Sequence, residues 1–129
     1  MARDEVLVQL PTLDSSKSLA TLADTTASTV TQANGTKLTG FAGCKNNSLH
    51  ITISNSASSA SAVTFKAGDF ANNVMGDLTQ PIAASKTATF IIDNPSRFQT
   101  KDGSILIDYA SGFTGTIYAV GKHAGLKKV

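Results

Sequence analysis

The sequence predicts an all-β domain: an antiparallel β-sandwich, with a small open β-barrel as the alternative, preceded by an extended N-terminal arm. Three observations carry this expectation. Apolar residues alternate with polar ones at period two over most of the chain. The alternating runs are short and separated by turn residues every ten or so positions, the spacing of a two-sheet sandwich or an open barrel. Charged residues make up only 16% of the chain against roughly 25% in ordinary soluble domains, and Ser, Thr, Ala and Asn take their place. Thr suits a pleated strand, and Ser and Asn suit turns.

Residues 1–45 form an N-terminal arm or edge-strand region. Glu5 to Pro11 has the composition of a strand, but Asp14 to Gln32 is dominated by Ser, Thr and Ala and has too few bulky residues for a core of its own. It is expected to lie either on its own sandwich or on a neighbouring subunit. In the second case Val6, Leu7, Val8, Leu10, Leu13, Leu19 and Leu22 are the candidate partner-binding residues, and the arm gains most of its order on docking.

Residues 46–120 are expected to be the sandwich. From Ser48 to Ser54, Leu49, Ile51 and Ile53 point one way and His50 and Thr52 the other. Asn55 to Ser61 reads as a loop and Ala62 to Lys66 as a strand. Gly68-Asp69 and Gly76-Asp77 then bracket an irregular crossing that carries Phe70, Val74 and Met75. Pro81 to Ser85 reads as a turn region, and Lys86 to Asp93 as a strand that ends at the turn-prone Asp93-Asn94-Pro95. Arg97-Phe98-Gln99 is expected to begin another edge, and Lys101 to Ser104 is a turn built on Asp102-Gly103. Ile105 to Tyr109 is a strand, Ser111 to Gly115 a turn, and Thr116 to Val120 the last strand. The expected core is Leu49, Ile51, Ile53, Val63, Phe65, Phe90, Ile92, Ile105, Ile107 and Ile117. Residues 121–129 form a basic tail with Lys122, His123, Lys127 and Lys128, which reads as a solvated end or as a contact to an acidic protein surface or packaged nucleic acid.

The totals bound the function. A chain of 129 residues is sized for one domain, and a net charge of +2 is too small to draw nucleic acid or an anionic membrane from a distance. No segment approaches the roughly 20 apolar residues of a membrane span, and no signal peptide is recognisable, so synthesis in the cytoplasm is expected. The single Cys44 forms no internal disulfide and rules out Cys-based zinc sites.

Chemistry needs convergent titratable groups, and few are on offer. His50 alternates with Leu49 and Ile51 and is expected to face solvent. Cys44 would need a histidine that the sequence does not place beside it. Asp69 and Asp77 each follow a glycine in the crossing, where capping of loop backbone is favoured over cation binding. Asp93 and Asp102 are explained as turn formers. Phosphate-cradling loops, dinucleotide fingerprints and the G-x-S-x-G elbow are missing. No catalytic residue, metal or cofactor is therefore expected.

The stretch from Leu49 to Val120 resembles small structural proteins of tailed bacteriophages, above all capsid decoration or cement proteins. The residues that carry the likeness are Ile51-Thr52-Ile53-Ser54-Asn55, Val63 to Asp69, Gly76-Asp77-Leu78, Arg97-Phe98-Gln99, Asp102-Gly103-Ser104 and Phe113 to Ile117. The resemblance implies a virion protein on the capsid exterior, with the major capsid protein as partner and a homo-oligomer, a trimer by analogy with the threefold positions of capsid lattices. The competing implication is a receptor- or carbohydrate-binding module of a tail or neck appendage, which the absence of Trp makes weaker.

Overall fold

The computed structural model describes residues 3–9, 12–14, 19–21, 27–40, 44–92 and 95–123. Alternation translates directly into two layers. β1 (Asp4–Leu7), β5 (Thr36–Thr39), β7 (Ser61–Phe65), β8 (Leu78–Ile82) and β10 (Ile105–Tyr109) form a five-stranded sheet in the order β1-β5-β10-β7-β8. β4 (Ser28–Thr29), β6 (Cys44–Asn55), β9 (Thr87–Ile92) and β11 (Gly115–His123) form a four-stranded sheet in the order β4-β11-β6-β9. β2 (Thr12–Asp14) and β3 (Leu19–Thr21) pair as a separate antiparallel ribbon. Neither large sheet closes on itself, so the chain is the expected all-β sandwich and not a barrel.

The core lies between the two inner faces. Leu49, Ile51, Ile53, Val63, Phe65, Ile105, Ile107 and Ile117 are all buried, as their alternation predicts. Phe90 and Ile92 are half-buried and pack against the core from the edge strand β9. Val6, Val8, Val30, Leu38, Ile82, Phe98, Tyr109, Phe113 and Ala119 complete it. Tyr109 brings its ring inside and satisfies its hydroxyl on the buried Thr36 Oγ1 at 2.6 Å. Among the described residues no buried side-chain nitrogen or oxygen lacks a partner.

Among the described residues, the first 45 supply β1, β4, β5 and the start of β6 to the sandwich. β1 runs parallel to β5, Val6 opposite Leu38, and alternation turns Val6 and Val8 into the core while Leu7 stays 68% exposed. Val8 N–H donates to Thr39 O at 2.8 Å in one sheet, and Gln9 N–H donates to Ala119 O at 2.9 Å in the other. The chain thus crosses between layers within two residues and closes that side of the sandwich. Val6 and Val8 are consequently spent on this chain's own core, which corrects the expectation that they bury against a partner. Leu7 is open to solvent. Leu13 and Leu19 lie in the β2–β3 ribbon, and Leu10 and Leu22 lie outside the described residues.

Two further expectations change. Pro81 sits inside β8, not in a turn, because β8 is an edge strand and an edge tolerates a residue without an N–H; the turn follows at Ala83 to Lys86. Arg97 ends a 3-10 turn (Pro95–Arg97) that drops Phe98 into the core, and only Gln99 pairs as a bridge, with Ile105.

Hydroxyl pairs on the outer faces account for the low charge. Ser54 bonds Thr87 at 2.8 Å, Thr52 bonds Thr89 at 3.3 Å and Thr64 bonds Thr79 at 2.9 Å, each pair directly opposite in register.

Candidate interaction surface

The side of the sandwich opposite the Val8–Gln9 crossover is open. There β8 and β9, the edge strands of the two sheets, leave a mostly apolar groove of about 430 Å³ lined by Phe65, Leu78, Thr89, Phe90, Ile91, Ile92 and Phe98. Its floor is an aromatic cluster. The Phe65 ring meets Phe90 edge-on at 5.1 Å between centroids and Phe98 at 5.8 Å.

The crossing between β7 and β8 stands beside this groove. It contains a 3-10 turn (Ala71–Met75) and is held by polar contacts at both ends. Asp77 accepts from Ala67 N–H at 2.6 Å and pairs with Lys66 Nζ at 2.7 Å. Those two bonds, the Ala67 amide first, hold its carboxyl below the usual range. Arg97 donates from Nε to Gly76 O at 3.0 Å and from Nη2 to Met75 O at 3.2 Å, and its guanidinium lies over the Phe98 ring at 5.2 Å. Gly68 N–H donates to Arg97 O, Asp69 N–H to Gln99 O, and the Asp69 carboxylate accepts from Lys101 N–H, each at 2.9 Å. Gly68 has to be glycine: a Cβ there would lie 2.1 Å from Gln99 O. Asp69 and Asp77 therefore cap backbone, the favoured sequence reading.

What this frame displays is apolar. Phe70 is 46% exposed, Met75 64% and Val74 87%, and Ile91 on the neighbouring edge strand is 62% exposed. Several large apolar side chains presented by braced backbone are the usual signature of a protein-binding surface.

A second, shallow hollow on the five-stranded sheet is charged and is lined by Arg3, Lys37, Asp69, Thr100, Lys101, Asp102, Ser104 and Leu106. Arg3, Lys37, Asp69 and Asp102 are already engaged. Asp102 accepts from the Thr100 hydroxyl and from Ser104 Oγ at 2.7 Å, and pairs with Lys37 Nζ at 2.9 Å. These bonds, led by Thr100, hold its carboxyl far below the usual range, so it is ionised and acceptor-only at neutral pH. Arg3 pairs with Asp108 at 2.6 Å and donates to Ile107 O at 3.0 Å.

His50 is exposed, as its position in the alternation predicts. Among the described residues no three His, Cys, Asp or Glu side chains gather where a metal could bind. The sheet register places one pair the sequence could not: His123 on β11 stands opposite Cys44 on β6 as backbone partners, beyond an irregularity after Gly121. The crossing residues Phe70, Val74 and Met75 were visible in the sequence, but only the fold shows them exposed. Ile91 has the opposite parity to Phe90 and Ile92, the two residues of its run in the expected core, and it faces outward accordingly.

Comparison with protein-family models, with curated proteins and with solved structures finds no significant match to this chain.

Proposed function

We propose that this chain is a structural virion protein of a tailed bacteriophage that binds the outside of the capsid lattice, with the major capsid protein as partner, and stabilises or decorates it without catalysis or cofactor. The observation that carries the reading is the braced crossing, which holds Phe70, Val74 and Met75 in water. Exposed apolar area on a rigid support favours association, because little conformational freedom remains to be lost on docking. The neutral Thr64–Thr79 pair beside it can be desolvated at lower cost than lysine or glutamate. The likeness of the Leu49 to Val120 stretch to decoration proteins supplies the partner.

The experiment is co-sedimentation of the purified protein with capsids that lack it, for the wild type and for a Val74→Asp, Met75→Asp double variant. Both side chains are exposed, so the variant keeps its fold by circular dichroism. The expected result is saturable binding by the wild type and loss of binding by the variant. Undiminished binding of the variant would move the contact away from the crossing. Failure of the wild type to bind, with imaging that finds few copies at one vertex, would favour the receptor- or carbohydrate-binding appendage instead.

A further inference from the structure

The two sheets of the sandwich have four edges, and three of them are guarded. β1 is short and carries Asp4 and Glu5, β4 has two residues, and β8 contains Pro81. These are the usual devices against edge-to-edge pairing. β9 has none of them. Its six residues, Thr87-Ala88-Thr89-Phe90-Ile91-Ile92, include no charge, proline or glycine, and all but Ala88 favour strands.

The register defines what the free edge offers. Asn55 N–H donates to Lys86 O, so positions 88, 90 and 92, which share the parity of Lys86, turn their backbone groups toward β6. Thr87, Thr89 and Ile91 therefore point their N–H and C=O groups away from the sheet, where no strand lies among the described residues. From this we infer that β9 is an isologous contact in which a second copy of the chain adds its own β9 antiparallel, with the two-fold axis at Thr89.

The match is self-complementary. Centred on Thr89, the pairing sets Thr89 against its own counterpart and Thr87 against Ile91, so every outward-facing residue meets an outward-facing residue and exchanges both hydrogen bonds. Lys86, the exposed cation just before β9, falls opposite Ile92 of the second copy. The two Lys86 residues then lie about 20 Å apart at opposite ends of the pair, at roughly 3.3 Å per residue, which is well beyond screening distance at physiological salt. Because the axis runs perpendicular to the sheet, both inner faces stay on one side. The two apolar grooves face each other across the axis, and the half-buried Phe90 and Ile92 lose water. The four-stranded sheets become one continuous sheet.

This contact goes beyond the capsid reading and does not depend on it, since it is measured without capsids. Light scattering coupled to size exclusion is expected to give twice the 13.3 kDa chain mass for the wild type. Thr89→Pro is the discriminating variant. Its N–H faces outward, so proline leaves the β6 ladder intact and removes a donor at the centre of the contact. Thr89→Lys, which sets like charges opposite each other at the axis, is the second variant and retains the backbone. Both are expected to run as folded monomers. A wild-type monomer at all soluble concentrations, a trimer, or a dimer unaffected by either variant would overturn the inference. A monomer whose capsid binding is abolished by Thr89→Pro would overturn it in favour of a foreign strand on the same edge.

Discussion

Asn55 ends β6 with its amide buried, and a single-atom exchange there tests how the fold is tied together. Its Nδ2 donates to Ile82 O at 3.0 Å, to Ser59 O at 3.1 Å and to Ala83 O at 3.4 Å, and its Oδ1 accepts from Ala57 N–H at 2.9 Å. One side chain thereby fastens the end of β6, the loop that follows it and the end of β8. Asn55→Asp keeps the shape and converts both donors into acceptors aimed at carbonyl oxygens. Each buried group left unsatisfied costs about 1 to 3 kcal/mol. The loss of two donors is then worth about 2 to 6 kcal/mol, a large part of the roughly 5 to 15 kcal/mol that holds a domain together. The new carboxyl is buried among carbonyls, so its folded pKa is raised. Its protonated form, which regains one donor, contributes stability that is fully present below about pH 4, the unfolded value, and is lost as pH rises through the folded value. Urea denaturation of the wild type and the variant, at neutral pH and near pH 4, is the assay. A deficit under about 1 kcal/mol, or one larger in acid than at neutrality, would refute the reasoning.

Three further outcomes are expected. Phe65→Ala removes a ring buried between Phe90 and Phe98 and is expected to cost about 3 to 5 kcal/mol in urea melts, whereas Phe90→Ala at the half-exposed edge is expected to cost clearly less. Burial pushes the Tyr109 hydroxyl up to about 12 from its ordinary 10.0, so its contribution is complete below pH 10 and disappears as pH rises to about 12. The two-unit shift corresponds to about 3 kcal/mol. Tyr109→Phe, compared with the wild type over that range, is expected to lack this part of the alkaline loss. Gly115→Ala is expected to destabilise by at least about 1 to 3 kcal/mol, because the backbone there has φ +151° and a Cβ would lie 1.8 Å from Ser54 O. A variant that melts with the wild type would contradict that geometry.

The strands legible in the sequence were those whose alternation is set by one buried face. Ile105–Tyr109 has the bounds expected of it, and Leu49, Ile51 and Ile53 face inward together because a residue of the other parity would have to cross the sheet. β5 escaped notice because Thr36–Thr39 offers one aliphatic residue, Leu38, and its second inward position is a threonine whose hydroxyl is satisfied by distant Tyr109. Pro81 masked β8, since proline signals a turn unless the strand is known to be an edge. Val6 and Val8 had the right pattern for a strand, but nothing local specifies a parallel partner, which closes only through long-range pairing. The apolar crossing was legible as composition. Its exposure depends on Asp77 and Arg97 bracing it: the capping role of Asp77 was legible from its place after Gly76, but the reach of Arg97 to Met75 and Gly76 has no sequence signature.

The Val8–Gln9 crossover has a temporal consequence. Gln9 is held by Ala119 and Gly121 of β11, so the junction between the two sheets closes only once β11 is in place. A chain growing from its N-terminal side can pair β1 with β5 and β7 with β8, but the Gln9 bridge waits until β11 is in place. Topologies that join distant segments fold slowly, because loop closure precedes the contacts that reward it. The Val8–Gln9 segment thus acts as a latch that waits for β11. Opening it would uncover Val6 and Val8, and with them a margin of both layers, in one step.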